Sequence, residues 1–228
     1  MKRVILDIET YKNEENLFLM PEPKPPANLK DPSKIAEAVK AAKEEQQSKA
    51  ALDMDTAVIV SIGMMDAATG KQKILVNSDL LTGDEDERVM YLNEGQMLKE
   101  FWRMAHEYGG RIIGYNVLGF DLPIILRRSF ALGVKASIML NLAKYRVEPV
   151  TDLMQILYNW GASKYRGLKL VSKLYLGEDD SDNVDGADVA AMVESGDAEA
   201  LIAYQSRDLV LTRRLFEAMN GTYYYLLE

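Results

Sequence analysis

The chain has 228 residues, 48% of them hydrophobic, a formal net charge of −8 and no cysteine. That length suits one sizeable α/β domain or two small ones, and the missing thiols exclude disulfides, thiolate catalysis and cysteine-ligated zinc while fitting a reducing compartment. The acidic balance argues against a broad basic surface that grips duplex DNA by charge alone, but not against a metal-filled cleft that takes in a nucleic-acid end.

The first predicted element is a strand over about 3 to 8, in "RVILDIET". Proline-rich "YKNEENLFLMPEPKPPANLK" follows as a loop. A helix is expected over about 31 to 52, with Asp31 as N-cap and Pro32 as its first residue. Ile35, Val39 and Ala42 give it a narrow apolar stripe, so it is a polar helix lying against something rather than a core helix. "TAVIVSIGMMD" and "KQKILVNS" flank "AATG", which predicts a hairpin over 56 to 77 whose natural partner is the first strand. "NEGQMLKEFWRMAHEY" reads as a helix, with Met97, Leu98, Phe101, Trp102 and Met104 among its packing residues.

"RIIGYN" is a short strand and "DLPIILRRSFALG" a helix. "VEPVTDLMQIL" holds a further strand or extended segment. "LKLVSKLYLG", "DGADVAAMVESGD" and "DAEALIAYQSRDLVLTRRLFEAMN" are helices, the last the clearest of all. This order predicts an α/β fold with a mixed central sheet flanked by helices. Residues 1–228 read as a single domain with an inserted loop and helix at about 11–54. "MKRVILDIET" runs into charge too soon for a signal peptide, and no stretch approaches 18 uncharged apolar residues, so neither export nor a membrane span is expected. A cytoplasmic setting is, or the nucleoid, or the host cytoplasm for a viral source.

Carboxylates supply the chemistry. Asp7 and Glu9 lie two apart in a strand and therefore point the same way. Like charges held so close need something positive between them: a divalent metal, an arginine or bulk water. Asp121, in "IIGYNVLGFDLP", sits where a helix begins, and capping alone would explain it. Asn116 likewise suits a turn. Tyr204 and Asp208, in "AYQSRDLVLTRR", are four apart on one helical face, where Asp208 could simply pair with a neighbouring arginine. Taken together, four carboxylates from three separated elements form the kind of oxygen-donor set that suits magnesium or manganese.

"LDIET", "GYNVLGFDLP" and "YQSRD" resemble, in order, the three exonuclease motifs of the DEDD superfamily. The tyrosine in the third marks the DEDDy group. The pattern is similar to the proofreading domain of family B DNA polymerases and its stand-alone relatives: Asp7 and Glu9 match Asp-x-Glu, Asn116, Phe120 and Asp121 match Asn-x-x-x-Phe-Asp, and Tyr204 and Asp208 match Tyr-x-x-x-Asp. The likeness covers nearly the whole chain, and the segment around the 31–52 helix departs from the minimal form.

The resemblance implies a ribonuclease H-like fold and 3′-to-5′ exonuclease activity on the 3′ end of single-stranded DNA. Two divalent ions, Mg2+ or Mn2+, would lie about 4 Å apart and the products would be nucleoside 5′-monophosphates. It makes Asp7 the ligand that touches both ions, and Glu9 and Asp208 ligands of the ion that activates water. Asp121 would act on the second ion, through its waters. Tyr204 would orient the attacking water, since a phenol with a pKa near 10 is a poor general base at neutral pH. It also makes a DNA polymerase, or another replication or repair protein, a candidate partner, with the role in replication, repair or recombination left open.

Tyr115 and Phe120 are candidates for shaping the nucleotide slot with Asn116, or for the core. Lys164, Arg166, Lys169 and Lys173 in "SKYRGLKLVSK" can guide a single-stranded backbone or form a solvated basic turn. The sole histidine, His106, has no motif partner and reads as surface or packing. Three rivals differ in kind: an exoribonuclease of the same tyrosine group, a non-catalytic module binding nucleic-acid ends, and a structural α/β domain with capping carboxylates. Tyrosine in the third motif disfavours the histidine-type enzymes.

Overall fold

The computed structural model describes residues 2–84, 86–177 and 186–222. These fall into two compact units, Met1–Glu9 with Ile59–Glu228, and Thr10–Val58.

A six-stranded sheet runs in the order β4-β3-β2-β1-β5-β6. Its strands are β1 (Val4–Lys12), β2 (Ala57–Asp66), β3 (Gln72–Asn77), β4 (Val89–Leu92), β5 (Ile112–Gly114) and β6 (Val150–Asp152). The expected hairpin is present as antiparallel β2 and β3, with Ile62 opposite Leu75. β4, which the sequence reading did not anticipate, pairs in parallel with β3. β5 pairs in parallel with both β1 and β6, placing Ile113 beside Ile5 on one side and Thr151 on the other. The sheet is mixed, as the alternation of strands and helices requires.

The helices of the larger unit are α2 (Glu94–Glu107), α3 (Asp121–Ala131), α4 (Leu153–Leu157), α5 (Leu168–Leu176), α6 (Val189–Ser195) and α7 (Ala198–Thr222). The "VEPVTDLMQIL" segment resolves into β6 followed at once by α4. Asp185, the first residue of the helix expected at "DGADVAAMVESGD", lies outside the described residues. α2 begins with a capping box in which Asn93 accepts the Gln96 amide and the Gln96 side chain accepts the Asn93 amide. Its apolar stripe buries Met97, Leu98, Phe101 and Trp102. On α7, Leu209, Leu215, Phe216 and Met219 join Ile5, Met65 and Ile113 in one core cluster.

Strand parity then decides what α7 covers. Ile5 and Met65 meet α7, so Asp7 and Glu9 on β1, and Gly63 and Ser61 on β2, project to the same side of the sheet. Parallel β5 ends at Gly114, while β1 continues past it to carry Asp7 and Glu9. A methyl group at Gly114 would stand 2.6 Å from Val117 Cβ and 3.0 Å from the Leu6 carbonyl oxygen, so only glycine lets the chain turn there.

The smaller unit holds a 3-10 turn (Glu14–Leu19), α1 (Pro32–Lys49) and a second 3-10 turn (Ala50–Leu52). Asp31 accepts the Ser33 amide at 2.9 Å at the start of α1, as a cap should. None of the described side chains of α1 is buried. The Asn13 amide donates to the Thr56 carbonyl at 2.7 Å, closing the intervening segment at its base.

Glu94 is the buried charge on which the α2 side of the larger unit depends. It accepts two bonds from Arg128, at 2.8 and 2.6 Å, and the Ile59 amide at 3.0 Å. Removing one partner of such a pair strands the other charge, which costs about 3–5 kcal/mol. Arg128→Leu should therefore lower stability by about 3 kcal/mol in urea unfolding, and adding Glu94→Gln should restore much of the loss. Equal stability of Arg128→Leu and wild type would refute this role.

Candidate active site

β1 alternates buried Leu6 and Ile8 with half-buried Asp7 and Glu9. α7 brings Tyr204 and Asp208 against them from the same face. Asp7, Glu9 and Asp208 each offer a carboxylate oxygen, and the three oxygens lie within 4.8 Å of one another. Asp121 stands outside this trio. It is the first residue of α3, after Phe120 at the N-cap position. Its Oδ1 accepts the Ile8 amide at 3.0 Å. The capping explanation is thus corrected: this carboxylate ties α3 to the peptide between Asp7 and Glu9.

Burial raises the Asp7 and Glu9 carboxyls well above the usual range. Repulsion adds to this, on Asp7 from Glu9, Asp121 and Asp208, and on Glu9 from Asp208 and Asp121. Burial pushes Asp121 up to about 7 even though the Ile8 amide opposes the shift. Tyr204 is driven far above its ordinary value, first by burial and then by Glu9, Asp208 and Asp7, and its hydroxyl is bonded to Asp208. An all-oxygen donor set of crowded, partly desolvated carboxylates fits a hard divalent cation, whose charge would relieve each of these penalties.

The substrate candidates divide. Tyr115 Oη donates to the Arg166 carbonyl at 2.5 Å, which ties the end of β5 to the turn before α5. Lys169 Nζ lies 6.0 Å from the centre of the Tyr204 ring, and Arg207 5.7 Å from it. Phe120 is half-buried at the start of α3, whereas Lys164 and Arg166 are exposed. His106 is exposed, with Nδ1 3.2 Å from the Ser137 carbonyl oxygen. A groove of about 1050 Å³ runs along the outward face of α7, lined by Arg88, Lys169, Arg207 and Arg214 as well as Asp84 and Glu199. None of the three clustered carboxylates lines it.

Asp152 escaped the sequence reading. It is fully buried at the end of β6 and accepts the amides of Asn116 at 3.1 Å, Leu118 at 2.9 Å and Gln155 at 3.1 Å. It caps α4 and also braces the turn in which Asn116 takes the left-handed conformation, with φ 65°. Aspartate between an apolar strand and a helix signals the cap, but nothing local signals the two bonds across the chain.

A family model described as "Predicted 3'-5' exonuclease related to the exonuclease domain of PolB" matches residues 51–222, well over half of the chain. The protein belongs to this exonuclease family. The matched span includes Asn116, Phe120, Asp121, Tyr204 and Asp208, while Asp7 and Glu9 precede it and join the exonuclease cluster through the fold. No curated protein matches the chain. Among solved structures, the exonuclease is similar to the family B DNA polymerase from the hyperthermophilic archaeon Pyrobaculum calidifontis, with a TM-score of 0.59 and 19% identity. The match covers 96% of this chain and 24% of the polymerase, a likeness of fold. The ribonuclease H-like architecture, a family of 3′–5′ exonucleases and an acidic cluster suited to a metal therefore coincide in this chain. No described helix is long and apolar enough to cross a membrane.

The raised carboxyls bind their protons more tightly in the folded protein than in the unfolded one. The resulting stabilisation is complete below the unfolded value of 3.8 for aspartate and is lost as pH climbs through the folded values, about 7 for Asp121. In EDTA, the melting temperature should fall as pH rises across that window. Asp7→Asn should flatten the fall more than Asp79→Asn, which removes an exposed charge elsewhere. A slope in Asp7→Asn as steep as in Asp79→Asn would contradict the crowding.

Proposed function

We propose that the protein hydrolyses phosphodiester bonds one nucleotide at a time from the 3′ end of single-stranded DNA, releasing nucleoside 5′-monophosphates. The observation that supports this best is the convergence of Asp7, Glu9 and Asp208, with Tyr204 bonded to Asp208. Two Mg2+ or Mn2+ ions held by Asp7, Glu9, Asp208 and Asp121 would acidify the attacking water and neutralise charge growing on the phosphate. Asp7 is proposed to serve both ions, and Asp121, set back on the Ile8 amide, to act through water.

The chain's own groups would do the positioning. Tyr204 keeps its proton at any working pH, because burial and three carboxylates oppose ionisation. Its hydroxyl donates to Asp208 and retains lone pairs that can accept a hydrogen bond from the attacking water, turning the water's own lone pair toward phosphorus. Lys169, whose Nζ lies 6.0 Å from the centre of the Tyr204 ring, would meet a backbone phosphate. Tyr115 and Phe120 would flank the terminal nucleotide, and Asn116 would complete that slot. Lys164 and Arg166 would lead the strand inward. The Asn116, Phe120 and Asp121 spacing, similar to the polymerase branch, favours DNA over RNA. It also makes a DNA polymerase, or another replication or repair protein, the proposed class of partner.

Asp208→Ala should lower the rate by several orders of magnitude. Tyr204→Phe removes one charge-assisted bond and should cost about ten- to a hundredfold. Single-turnover cleavage of a 5′-labelled single strand in magnesium, with a matched RNA run in parallel, gives rate, direction and sugar preference. Loss of the label in the first product would overturn the direction. Faster cleavage of RNA would overturn the substrate. A wild-type rate for Tyr204→Phe would remove the tyrosine from the mechanism.

The whole chain is proposed to act as one exonuclease domain interrupted by the Thr10–Val58 unit. Because Asn13 and Thr56 are already hydrogen-bonded, residues 14–55 can be replaced by a short turn without stretching the backbone. The shortened protein should fold and still cleave a dinucleotide. A folded variant without that activity would make the insertion part of the catalytic machinery.

A further inference from the structure

Between Tyr204 and Asp208 on α7, Gln205 is fully buried and both ends of its amide are engaged. Nε2 donates to Asp7 Oδ2 at 2.5 Å. Oε1 accepts the hydroxyl of Ser61, itself fully buried on β2. Once ionised, as a bound cation would require, the Asp7 carboxylate can only accept, so the nitrogen then faces Asp7 and the oxygen is left for Ser61. We infer that Gln205 is a positioning residue for Asp7: held by Ser61, it occupies Oδ2 and sets the carboxylate so that its other oxygen is turned to a cation.

Gly63 supports this independently. Its backbone does not require glycine through any left-handed conformation, yet a methyl group there would lie 2.8 Å from Gln205 Cγ, 2.9 Å from Cδ and 3.0 Å from Nε2. The absence of a side chain on β2 is what lets the glutamine lie flat against the strand and reach Asp7. Ser61 and Gly63 share the α7 side of β2, so one strand supplies both the space and the anchor. The glutamine holds Asp7 without adding to its charge burden, which a lysine would overcompensate and a second carboxylate would worsen. Mutating groups that orient metal ligands in this way typically costs about ten- to a hundredfold in metal affinity or activity.

This inference rests on the metal-site reading above, and the test separates the two. Mn2+ binding is followed by electron paramagnetic resonance without nucleic acid, for wild type, Asp7→Ala, Gln205→Met, Ser61→Ala and the Ser61→Ala/Gln205→Met double variant, each checked for folding by circular dichroism. Wild type should bind Mn2+ and Asp7→Ala should not; failure of either overturns the metal site itself. Gln205→Met should weaken Mn2+ binding at least tenfold. Ser61→Ala should weaken it less, and the double variant should match Gln205→Met, because Ser61 acts through the glutamine. Wild-type Mn2+ affinity in folded Gln205→Met, with Asp7→Ala inactive in binding, overturns the inference while leaving the metal site standing. Additive losses in the double variant overturn the relay from Ser61. Should Gln205→Met not fold, Gly63→Ala replaces it, since the added methyl displaces the same side chain; unchanged affinity there overturns the inference equally.

Discussion

Carboxylates from Asp7, Glu9 and Asp208 meet within 4.8 Å where β1 passes beneath α7, and Asp121 adds its charge from the start of α3. Two unit charges 4 Å apart near a protein surface repel by about 4 kcal/mol at an effective dielectric constant of 20. A fold that holds several such groups together must keep them from swinging into water. It does so with a rigid central strand, hydrogen-bonded on both sides, and with a long helix whose apolar face is locked by Leu209, Leu215 and Phe216. The protons that cling to these carboxyls without metal, and the cations that would displace them, are two responses to the same enforced crowding.

Three of the four carboxylates each have a fixed point. Asp121 is pinned by the Ile8 amide and Asp7 by Gln205, while Asp208 is met by the Tyr204 hydroxyl. Asp152 performs a related task one layer out. With three backbone amides converging on it, it shapes the turn that connects β5 to α3 and so sets where Asp121 begins. Gly114 makes that turn sterically possible, because the Leu6 carbonyl and Val117 leave no volume for a side chain. The motif residues thus rely on groups that lie outside the motifs.

Local patterns reveal the helices and the hairpin because they report on short-range physics. The Asn93 cap, the 3.6-residue stripe of α2 and the alternation of β1 are readable from neighbours alone. β4 was not visible: Val89–Leu92 is four residues long, and its pairing with β3 depends on a partner that no local pattern names. Asp121 illustrates the same divide. Its position before an apolar helix looks like a cap, yet its bond goes to Ile8, 113 residues away. Gln205 carried no signal at all, since a glutamine between a tyrosine and an aspartate on a helix is ordinary until Ser61 and Asp7 are seen at its two ends.

By itself, the sequence determined the donor types, their order and their local pairing. A spacing of two in a strand and of four in a helix places Asp7 with Glu9, and Tyr204 with Asp208, whatever the rest of the chain does. The tertiary structure alone decided that these pairs would meet, that Asp121 would stand back from the trio, and that Gln205 would be drawn onto Asp7. Those outcomes depend on which sheet face α7 covers and on the room left by Gly63, and both are set by packing between segments far apart in the chain.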